Sequence, residues 1–205
     1  MRVIGITGGV GSGKSELLRY IANHYKCRIL LADEVSHDVM KKGGAAYEAL
    51  LRLLEQYPGN GKLTQEDGEI CRTEMAARIF ASPKLREEVN SILHPAVRES
   101  ILSAIQEEKE KACAKDPGAA DYFFLEAALL IECGYGSVVD EMWYIYCNLP
   151  VRRQRLKASR GYSDAKIDSI LAAQLSEEAF REGADVVIDN SGTLEEAYRQ
   201  IDEVL

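Results

Sequence analysis

The stretch of sequence that decides the fold is Arg2-Val3-Ile4-Gly5-Ile6-Thr7-Gly8-Gly9-Val10-Gly11-Ser12-Gly13-Lys14-Ser15. Its first six residues form a short apolar run that predicts a buried strand, and residues 15–25 have the apolar spacing of a helix. Residues 8–15 match G-x-x-x-x-G-K-[ST] at every fixed position. A strand, a glycine-rich turn and a helix in this order indicate a phosphate-binding loop.

The residue types of this loop suit a polyphosphate. Glycines let successive backbone N–H groups converge on an anion, and the N-terminus of the following helix adds partial positive charge. Lys14 can reach the β- and γ-phosphates, and the Ser15 hydroxyl can bind Mg²⁺. The alternative is a chance match in a glycine-containing turn. We expect ATP and Mg²⁺ as cofactors, with the nucleotide held by Gly8, Gly9, Gly11, Ser12, Gly13, Lys14, Ser15 and Glu16.

Four further apolar runs follow the first, each short and continuous as expected of strands that are covered on both faces. They occupy residues 28–32, 122–125, 142–147 and 185–188. Helix-period segments separate them, which is typical of parallel β-α-β winding. The sequence therefore predicts an α/β fold with a five-stranded parallel sheet flanked by helices.

The long segment between the second and third runs has helical patterns at residues 34–41, 45–56, 73–80 and 83–111. Pro95 is expected to kink or divide the last of these helices. We interpret residues about 34–120 as a helical substrate subdomain inserted into a single domain. The core of that domain would be about 1–33 and 121–205, with a lid at about 150–163.

The composition excludes several classes of protein. The chain has 205 residues and a formal net charge of −8, which argues against a broad cationic surface for nucleic acid. No apolar stretch suits a membrane span, and the N-terminus lacks the pattern of a signal peptide. The five cysteines are scattered without a C-x-x-C pair, which favours a reducing compartment. We expect a cytoplasmic protein without nucleic-acid or membrane partners, as a monomer or small homo-oligomer.

Three acidic residues that follow apolar runs are candidates for chemistry at the phosphates. Asp33 could accept a proton from an acceptor hydroxyl, bind Mg²⁺, or serve as the N-cap of a helix starting at residue 34. Glu126 could bind Mg²⁺, and Glu132 comes six residues later, on or after a helical turn. For these two glutamates a solvated or structural carboxylate is an equal alternative. His94 is either a packed residue or a substrate contact.

A run of cations without acids occupies residues 150–163 and comprises Arg152, Arg153, Arg155, Lys157 and Arg160. Guanidinium groups there could close over ATP and stabilise charge on the transferring phosphoryl group. The alternative is an ordinary solvated helix face. We expect Arg155 and Arg160 to act on the phosphates, and Arg152 and Arg153 to be more peripheral.

A glycine loop of this kind indicates a nucleotide but not a task. The base-reading [NT]-K-x-D motif of GTPase switches is missing, and motor and transporter ATPases usually need more sequence. A small phosphotransferase is the simplest interpretation. Two alternatives stay open: another small P-loop kinase acting on a nucleoside monophosphate or a small alcohol, and a regulator that binds ATP without transferring its phosphate.

Six segments of the chain occur in an ordered set. They are residues 5–15, Leu31-Ala32-Asp33, Ile92-Leu93-His94-Pro95, Leu129-Leu130-Ile131-Glu132, Ala172-Ala173-Gln174 and residues 184–192. This set resembles the dephospho-coenzyme A kinase family across essentially the whole chain. The resemblance implies a P-loop kinase fold with a helical CoA-binding subdomain and a lid. It also implies transfer of the ATP γ-phosphoryl group to the ribose 3′-hydroxyl of dephospho-CoA, the small-molecule partner.

The resemblance implies roles for individual residues as well. Asp33 matches the acid that activates the acceptor hydroxyl, and Asn190 falls near the adenine side of the nucleotide. Arg155 and Arg160 match lid arginines. We therefore expect catalytic roles for Asp33, Lys14 and Arg155, and substrate binding by Asp33, Arg72, His94 and Glu132. Arg160 and Asn190 are expected to bind the nucleotide as well. The expected metal ligands are Ser15, Asp33 and Glu126.

The chain departs from the family pattern at three points. Leu31 replaces the first acid of a D-A-D segment, so any duty of that acid passes to Asp33 or Glu126. Ala128 stands where the family has proline before L-L. The spacing between Arg155 and Arg160 is one residue longer than usual.

Overall fold

The apolar runs form the five strands of one parallel sheet in the structure, a computed structural model that describes residues 1–205. The strands are β1 (Arg2–Thr7), β2 (Cys27–Leu31), β3 (Tyr122–Glu126), β4 (Glu141–Tyr146) and β5 (Val186–Asp189). Their order in the sheet is β2-β3-β1-β4-β5. The predicted α/β fold with five parallel strands is therefore confirmed.

Strand β1 lies at the centre of the sheet and pairs with β3 on one side and β4 on the other. Ile6 of β1 is opposite Glu126 of β3, and Thr7 is opposite Tyr144 of β4. The glycine loop therefore leaves the sheet from its central strand, with the end of β3 beside it. In a parallel sheet, this carboxyl edge is where ligands collect.

The chain divides into two units. The first, called the sheet unit here, comprises Met1–Leu30 and Glu108–Leu205, and the second, the helical unit, comprises Leu31–Glu107. The helices are α1 (Lys14–His24), α2 (Ala32–Met40), α3 (Tyr47–Glu55), α4 (Arg72–Ala81), α5 (Pro83–Cys113), α6 (Leu149–Arg160), α7 (Asp164–Ala172), α8 (Glu177–Glu182) and α9 (Leu194–Val204). A single 3₁₀ turn spans Tyr135–Ser137. None of the helices combines the length and the apolarity needed to cross a bilayer.

The core of the sheet unit is built from the strands. Val3, Phe123, Phe124 and Trp143 have no exposed surface, and the rings of Phe124 and Trp143 meet edge to face. These apolar side chains lie on three successive strands of the sheet, β3, β1 and β4, so their burial stabilises the same sheet that carries the glycine loop. The loop thus projects from a rigid support.

Glu108 is a buried acid that joins separate segments of the sheet unit. Its carboxylate accepts a hydrogen bond from the Ala120 backbone N–H at 2.9 Å, and it pairs with Arg28 at 3.3 Å and Lys111 at 3.2 Å. These contacts, the Ala120 hydrogen bond first among them, hold the pKa of Glu108 below its ordinary value. The charged form is therefore stabilised by folding.

The helical unit contains a buried arginine that the sequence did not single out. Arg78 of α4 donates to the backbone carbonyls of Leu54 and Tyr57 at 2.8 and 2.7 Å, and its Nε donates to Glu74 at 2.8 Å. The guanidinium thus binds one carbonyl in the last turn of α3, which also accepts the Tyr57 N–H, and one carbonyl just beyond the helix. Helix α5 continues through Pro95, so of the kink or division expected at this proline the division is wrong.

Candidate active site

The glycine loop has a backbone that other residues adopt only with strain. Gly8, Gly11 and Gly13 have φ angles of 148°, 82° and 93°. Gly13 is the N-cap of α1, and its carbonyl accepts the N–H groups of Glu16 and Leu17. Because only glycine adopts such angles freely, the positions of these glycines explain how strand β1 turns so sharply into helix α1.

Lys14 connects the two ends of the loop with strand β3. Its Nζ donates to the Gly8 carbonyl at 2.7 Å and lies 3.6 Å from Oε1 of Glu126. The two side chains are only 14% and 18% exposed, so their charges interact more strongly than they would in bulk water. The loop lysine is thereby held at the carboxyl edge of the sheet, where a phosphate chain would need a positive charge.

Side chains from outside the loop bind two further loop carbonyls. Nε of Arg152 donates to the Val10 carbonyl at 3.2 Å, and Nδ2 of Asn190 donates to the Ser12 carbonyl at 2.8 Å. Nη1 of Arg155 reaches the same Ser12 carbonyl at 3.4 Å. The residues between the glycines are therefore fixed through their carbonyl groups. Asn190 is 1% exposed, which places its amide behind the loop.

Helix α6 lies against the loop along one of its faces. A Cβ at Gly9 would overlap the Arg152 guanidinium, and a Cβ at Gly11 would lie 2.9 Å from Cγ of Leu156. Arg152, Arg155 and Leu156 are spaced three and four residues apart, which puts them on one helix face. The glycines of the loop thus also permit the close approach of α6.

Two other cations of α6 face acidic residues of α7. Arg153 pairs with Asp164 and Asp168, and Lys157 pairs with Asp164 at 2.8 Å. The expectation that Arg152 would be as peripheral as Arg153 is wrong, because the helical twist turns these neighbours to different partners. The alternative interpretation of the cationic run, an ordinary solvated helix face, holds for the exposed Lys157 but not for Arg152.

Cys147 and Gln174 contact the arginines near the loop, and sequence reasoning had given neither a role. The buried Sγ of Cys147 lies 3.5 Å from Nη1 of Arg155, and burial raises the pKa of this thiol. Oε1 of Gln174 accepts hydrogen bonds from Nη2 of Arg152 at 2.8 Å and from the Val10 N–H at 3.4 Å. Gln174 has no local sequence signal for these contacts, because Arg152 and Val10 lie 22 and 164 residues away from it. Cys147 comes only eight residues before Arg155, but their contact depends on how the chain passes from β4 into α6.

Two of the predicted nucleotide-binding residues, Glu16 and Arg160, have side chains that contact residues outside the loop. Glu16 pairs with Arg19 and accepts a hydrogen bond from Tyr198. Arg160 is exposed at the end of α6, where its guanidinium carbon lies 5.9 Å from the centre of the Tyr162 ring. The exposed Ser15 is the second residue of α1.

The predicted substrate-binding residues lie in three elements and a turn. Asp33 is in the first turn of α2, whose N-cap is Leu31, so the interpretation of Asp33 as an N-cap is wrong. The helix begins earlier than the capping preference of aspartate suggested. Arg72 begins α4 and His94 lies in α5, both with exposed side chains, and Glu132 is exposed in the turn after β3.

The structure contains no group of three or more histidine, cysteine, aspartate or glutamate side chains that could hold a metal ion by themselves. The site is instead a glycine loop with one lysine, one carboxylate and two arginines around it. An anionic ligand with several phosphate oxygens matches these groups chemically.

Comparisons with known proteins indicate one family. The dephospho-CoA kinase family model matches residues 2–196. A dephospho-CoA kinase of Streptococcus pyogenes serotype M3 is 33% identical over 206 residues, covering 99% of this chain and 96% of the relative. A crystal structure of TT1252 from Thermus thermophilus has a TM-score of 0.75 at 26% identity, covering 99% of this chain and 95% of that one. Dephospho-CoA kinase from Campylobacter jejuni shares the fold, with a TM-score of 0.72 at 20% identity over 98% of this chain and 94% of that one. The chain belongs to the dephospho-CoA kinase family.

Proposed function

We propose that this protein transfers the γ-phosphoryl group of ATP to the ribose 3′-hydroxyl of dephospho-CoA, giving CoA and ADP. The observation that carries the proposal is the glycine loop at the end of the central strand, whose Lys14 lies between the Gly8 carbonyl and Glu126. The loop accounts for the polyphosphate donor, and membership of the family accounts for the acceptor.

The loop itself would supply most of the contacts to ATP. Its backbone N–H groups and the N-terminus of α1 favour an anion, and Lys14 adds a full positive charge for the β- and γ-phosphates. Phosphoryl transfer depends mainly on positioning and on electrostatic stabilisation. A loop whose carbonyls are already bound by Lys14, Arg152 and Asn190 needs little rearrangement to provide both.

Mg²⁺ suits the oxygen donors at this edge of the sheet. The Ser15 hydroxyl is exposed, and the Glu126 carboxylate ends β3 beside the loop. We propose these two as ligands with Asp33 as the third, a set that fits because Mg²⁺ usually takes few protein ligands besides phosphates and water. When bound, the ion would neutralise charge on the phosphate oxygens.

We assign to Arg155 the stabilisation of charge on the transferred group. Only its Nη1 atom is engaged, with the Ser12 carbonyl at 3.4 Å and Cys147 at 3.5 Å, so other guanidinium donors remain for phosphate oxygens. Arg160, at the far end of the same helix, and Asn190, behind the loop, are assigned to nucleotide binding on the family resemblance.

Asp33 is proposed as the base that takes the proton from the 3′-hydroxyl. It follows β2 by two residues, and parallel strands end at a common edge. Arg72, His94 and Glu132 are proposed to contact dephospho-CoA.

We further propose a domain organisation with core residues about 1–33 and 121–205, an inserted substrate subdomain and a lid. The protein is proposed to be cytoplasmic and to be a monomer or small homo-oligomer.

An acceptor comparison tests the proposed function. The full chain is incubated with ATP and Mg²⁺, and ADP release is followed with dephospho-CoA, AMP, dTMP or shikimate as acceptor. We expect rapid ADP release with dephospho-CoA alone. A preference for a nucleoside monophosphate or shikimate would indicate a different small kinase, and ATP binding without release in any mixture would indicate a regulator.

A further inference from the structure

We propose that Gln174 and Arg152 act as a pair of positioning residues for the glycine loop, fixing the Val10 peptide and thereby raising the affinity of the loop for ATP. The inference rests on the proposed function, because it concerns the same nucleotide site. It adds two residues to that site, one of which the sequence had suggested to be peripheral.

The pair forms a closed ring of hydrogen bonds with Val10. Arg152 donates from Nε to the Val10 carbonyl at 3.2 Å and from Nη2 to Oε1 of Gln174 at 2.8 Å. The same Oε1 accepts the Val10 N–H at 3.4 Å. Both polar groups of one loop residue are therefore bound by side chains, so the Val10 backbone cannot rotate without breaking contacts on both sides.

The loop needs such a restraint because Val10 lies between two glycines. Glycine has the largest conformational freedom of any residue, and the adjacent Gly11 adopts a φ of 82° that few other residues tolerate. A free loop would sample many conformations, and ATP binding would have to select one of them. Groups that are held in the bound geometry before the ligand arrives bind it more tightly.

The charge of Arg152 supports a role at the nucleotide rather than in folding alone. Its two hydrogen-bond partners are a backbone carbonyl and a neutral amide, so no acidic side chain pairs with it. Arg153, the next residue on α6, is instead paired with Asp164 and Asp168. A guanidinium group beside a phosphate loop and without an acidic partner favours an anionic ligand.

Gln174 reaches the loop from the end of α7. Its backbone N–H donates to the Leu171 carbonyl at 3.2 Å, which closes the last turn of that helix. The side chain is then presented to Arg152 and Val10 from a fixed backbone. Gln174 thus positions Arg152, and Arg152 positions the loop carbonyl, so the two side chains should act as one unit.

The test measures binding of Mg²⁺ and the non-hydrolysable ATP analogue AMP-PNP to the full chain by calorimetry, which needs no acceptor. The variants are Gln174→Met, Arg152→Met, the double variant and Gln174→Glu, which keeps the acceptor oxygen. Arg153→Met is the control, because it removes the same charge from the adjacent position. Thermal unfolding of each variant reports any loss of folded protein.

We expect Gln174→Met and Arg152→Met each to weaken nucleotide binding roughly tenfold, because each change removes two hydrogen bonds of the ring. The double variant should bind about as weakly as either single variant, since the contacts are shared. Gln174→Glu keeps the hydrogen bond to Arg152 but should also bind more weakly than the parent protein, because its carboxylate neutralises Arg152 and repels the phosphates. Arg153→Met should bind like the parent protein. In steady-state kinetics the KM for ATP should rise while the KM for dephospho-CoA stays unchanged.

Several results would overturn the inference. The first is unchanged nucleotide binding in Gln174→Met. The second is an affinity loss of about a hundredfold in the double variant, which would mean that the two side chains act independently. The third is an affinity loss that, across the variants, only parallels the decrease in melting temperature. Failure of the parent protein to bind the analogue would refute both the inference and the proposed function. Binding of the analogue without phosphorylation of dephospho-CoA would refute the proposed function and leave the positioning pair supported.

Discussion

Lys14 is the residue on which the proposed chemistry depends most. It contacts the loop carbonyl of Gly8 and the Glu126 carboxylate, and its side chain is largely buried. Asp33 is the second such residue, in the first turn of α2. The two have different tasks in the proposed mechanism, since Lys14 acts on the phosphate and Asp33 on the acceptor hydroxyl. Substitutions at the two positions should therefore have different kinetic signatures.

Lys14→Ala should lower kcat roughly 10²–10³-fold, because a positive charge at the transferring phosphate is lost. The measurement is initial-rate ADP release at saturating dephospho-CoA. Lys84→Ala, which removes an exposed lysine of α5, is the control and should leave kcat unchanged. An unchanged kcat in Lys14→Ala would contradict the role of the loop lysine.

Asp33→Asn should depress kcat roughly 10²–10⁴-fold while leaving ATP affinity nearly intact, since only a general base is removed. Turnover and nucleotide binding are measured on the same preparation. Asp38→Asn removes an exposed carboxylate from the same helix and serves as the matched control. Near-normal turnover in Asp33→Asn would exclude it as the base.

Sequence alone predicted the residues whose signal is local. The loop glycines and Lys14 are recognisable because they form a motif within eight consecutive residues. The predicted bounds of β1 match the observed strand to the residue. Arg152 and Gln174 were missed for a physical reason. A run of cations does not reveal which members face acids on another helix, and the contact between Val10 and Gln174 exists only after the chain folds.

At the scale of elements, the buried arginine of α4 supports the helical unit. Arg78→Met should reduce the free energy of unfolding by about 3 kcal/mol, because the Glu74 carboxylate and the carbonyls of Leu54 and Tyr57 lose their buried partner. Urea unfolding measures the change. Arg86→Met, an exposed position on α5, should change it by less than about 0.5 kcal/mol. Equal stability of the two variants would contradict this account.

Helix α5 contributes the acid that ties the sheet unit together, and this predicts a pH dependence. The pKa of Glu108 is lowered in the folded state, so its stabilising effect is present above the ordinary glutamate pKa of about 4.3 and is lost as the pH falls through the lowered value. Glu108→Gln should therefore be less stable at pH 7 and should lose less stability on acidification below pH 4.3 or so.

Urea midpoints measured between pH 7 and pH 3 test this prediction. Glu87→Gln, an exposed position on the same helix, is the control and should follow the parent protein throughout. If the urea midpoint falls as steeply with decreasing pH in Glu108→Gln as in the parent protein, Glu108 does not contribute to the pH dependence of stability.

At the scale of the whole molecule, the net charge of −8 is unevenly arranged. Arg153 and Lys157 of α6 pair with acids of α7. Lys14, Arg152 and Arg155 instead surround the glycine loop. The predicted parallel sheet was recognisable from five apolar runs, because a strand buried on both faces leaves a continuous signal. The division of the cations between two helix faces was not recognisable, since it depends on tertiary packing.

The central claim concerns the acceptor, and the product of the reaction tests it most directly. The full chain is incubated with ATP, Mg²⁺ and dephospho-CoA, and the product is identified by mass and by phosphorus NMR. The account predicts CoA carrying a phosphate on the ribose 3′-oxygen, formed in equal amount to ADP. ADP formed without CoA, or a phosphate at any other position of the acceptor, would contradict it.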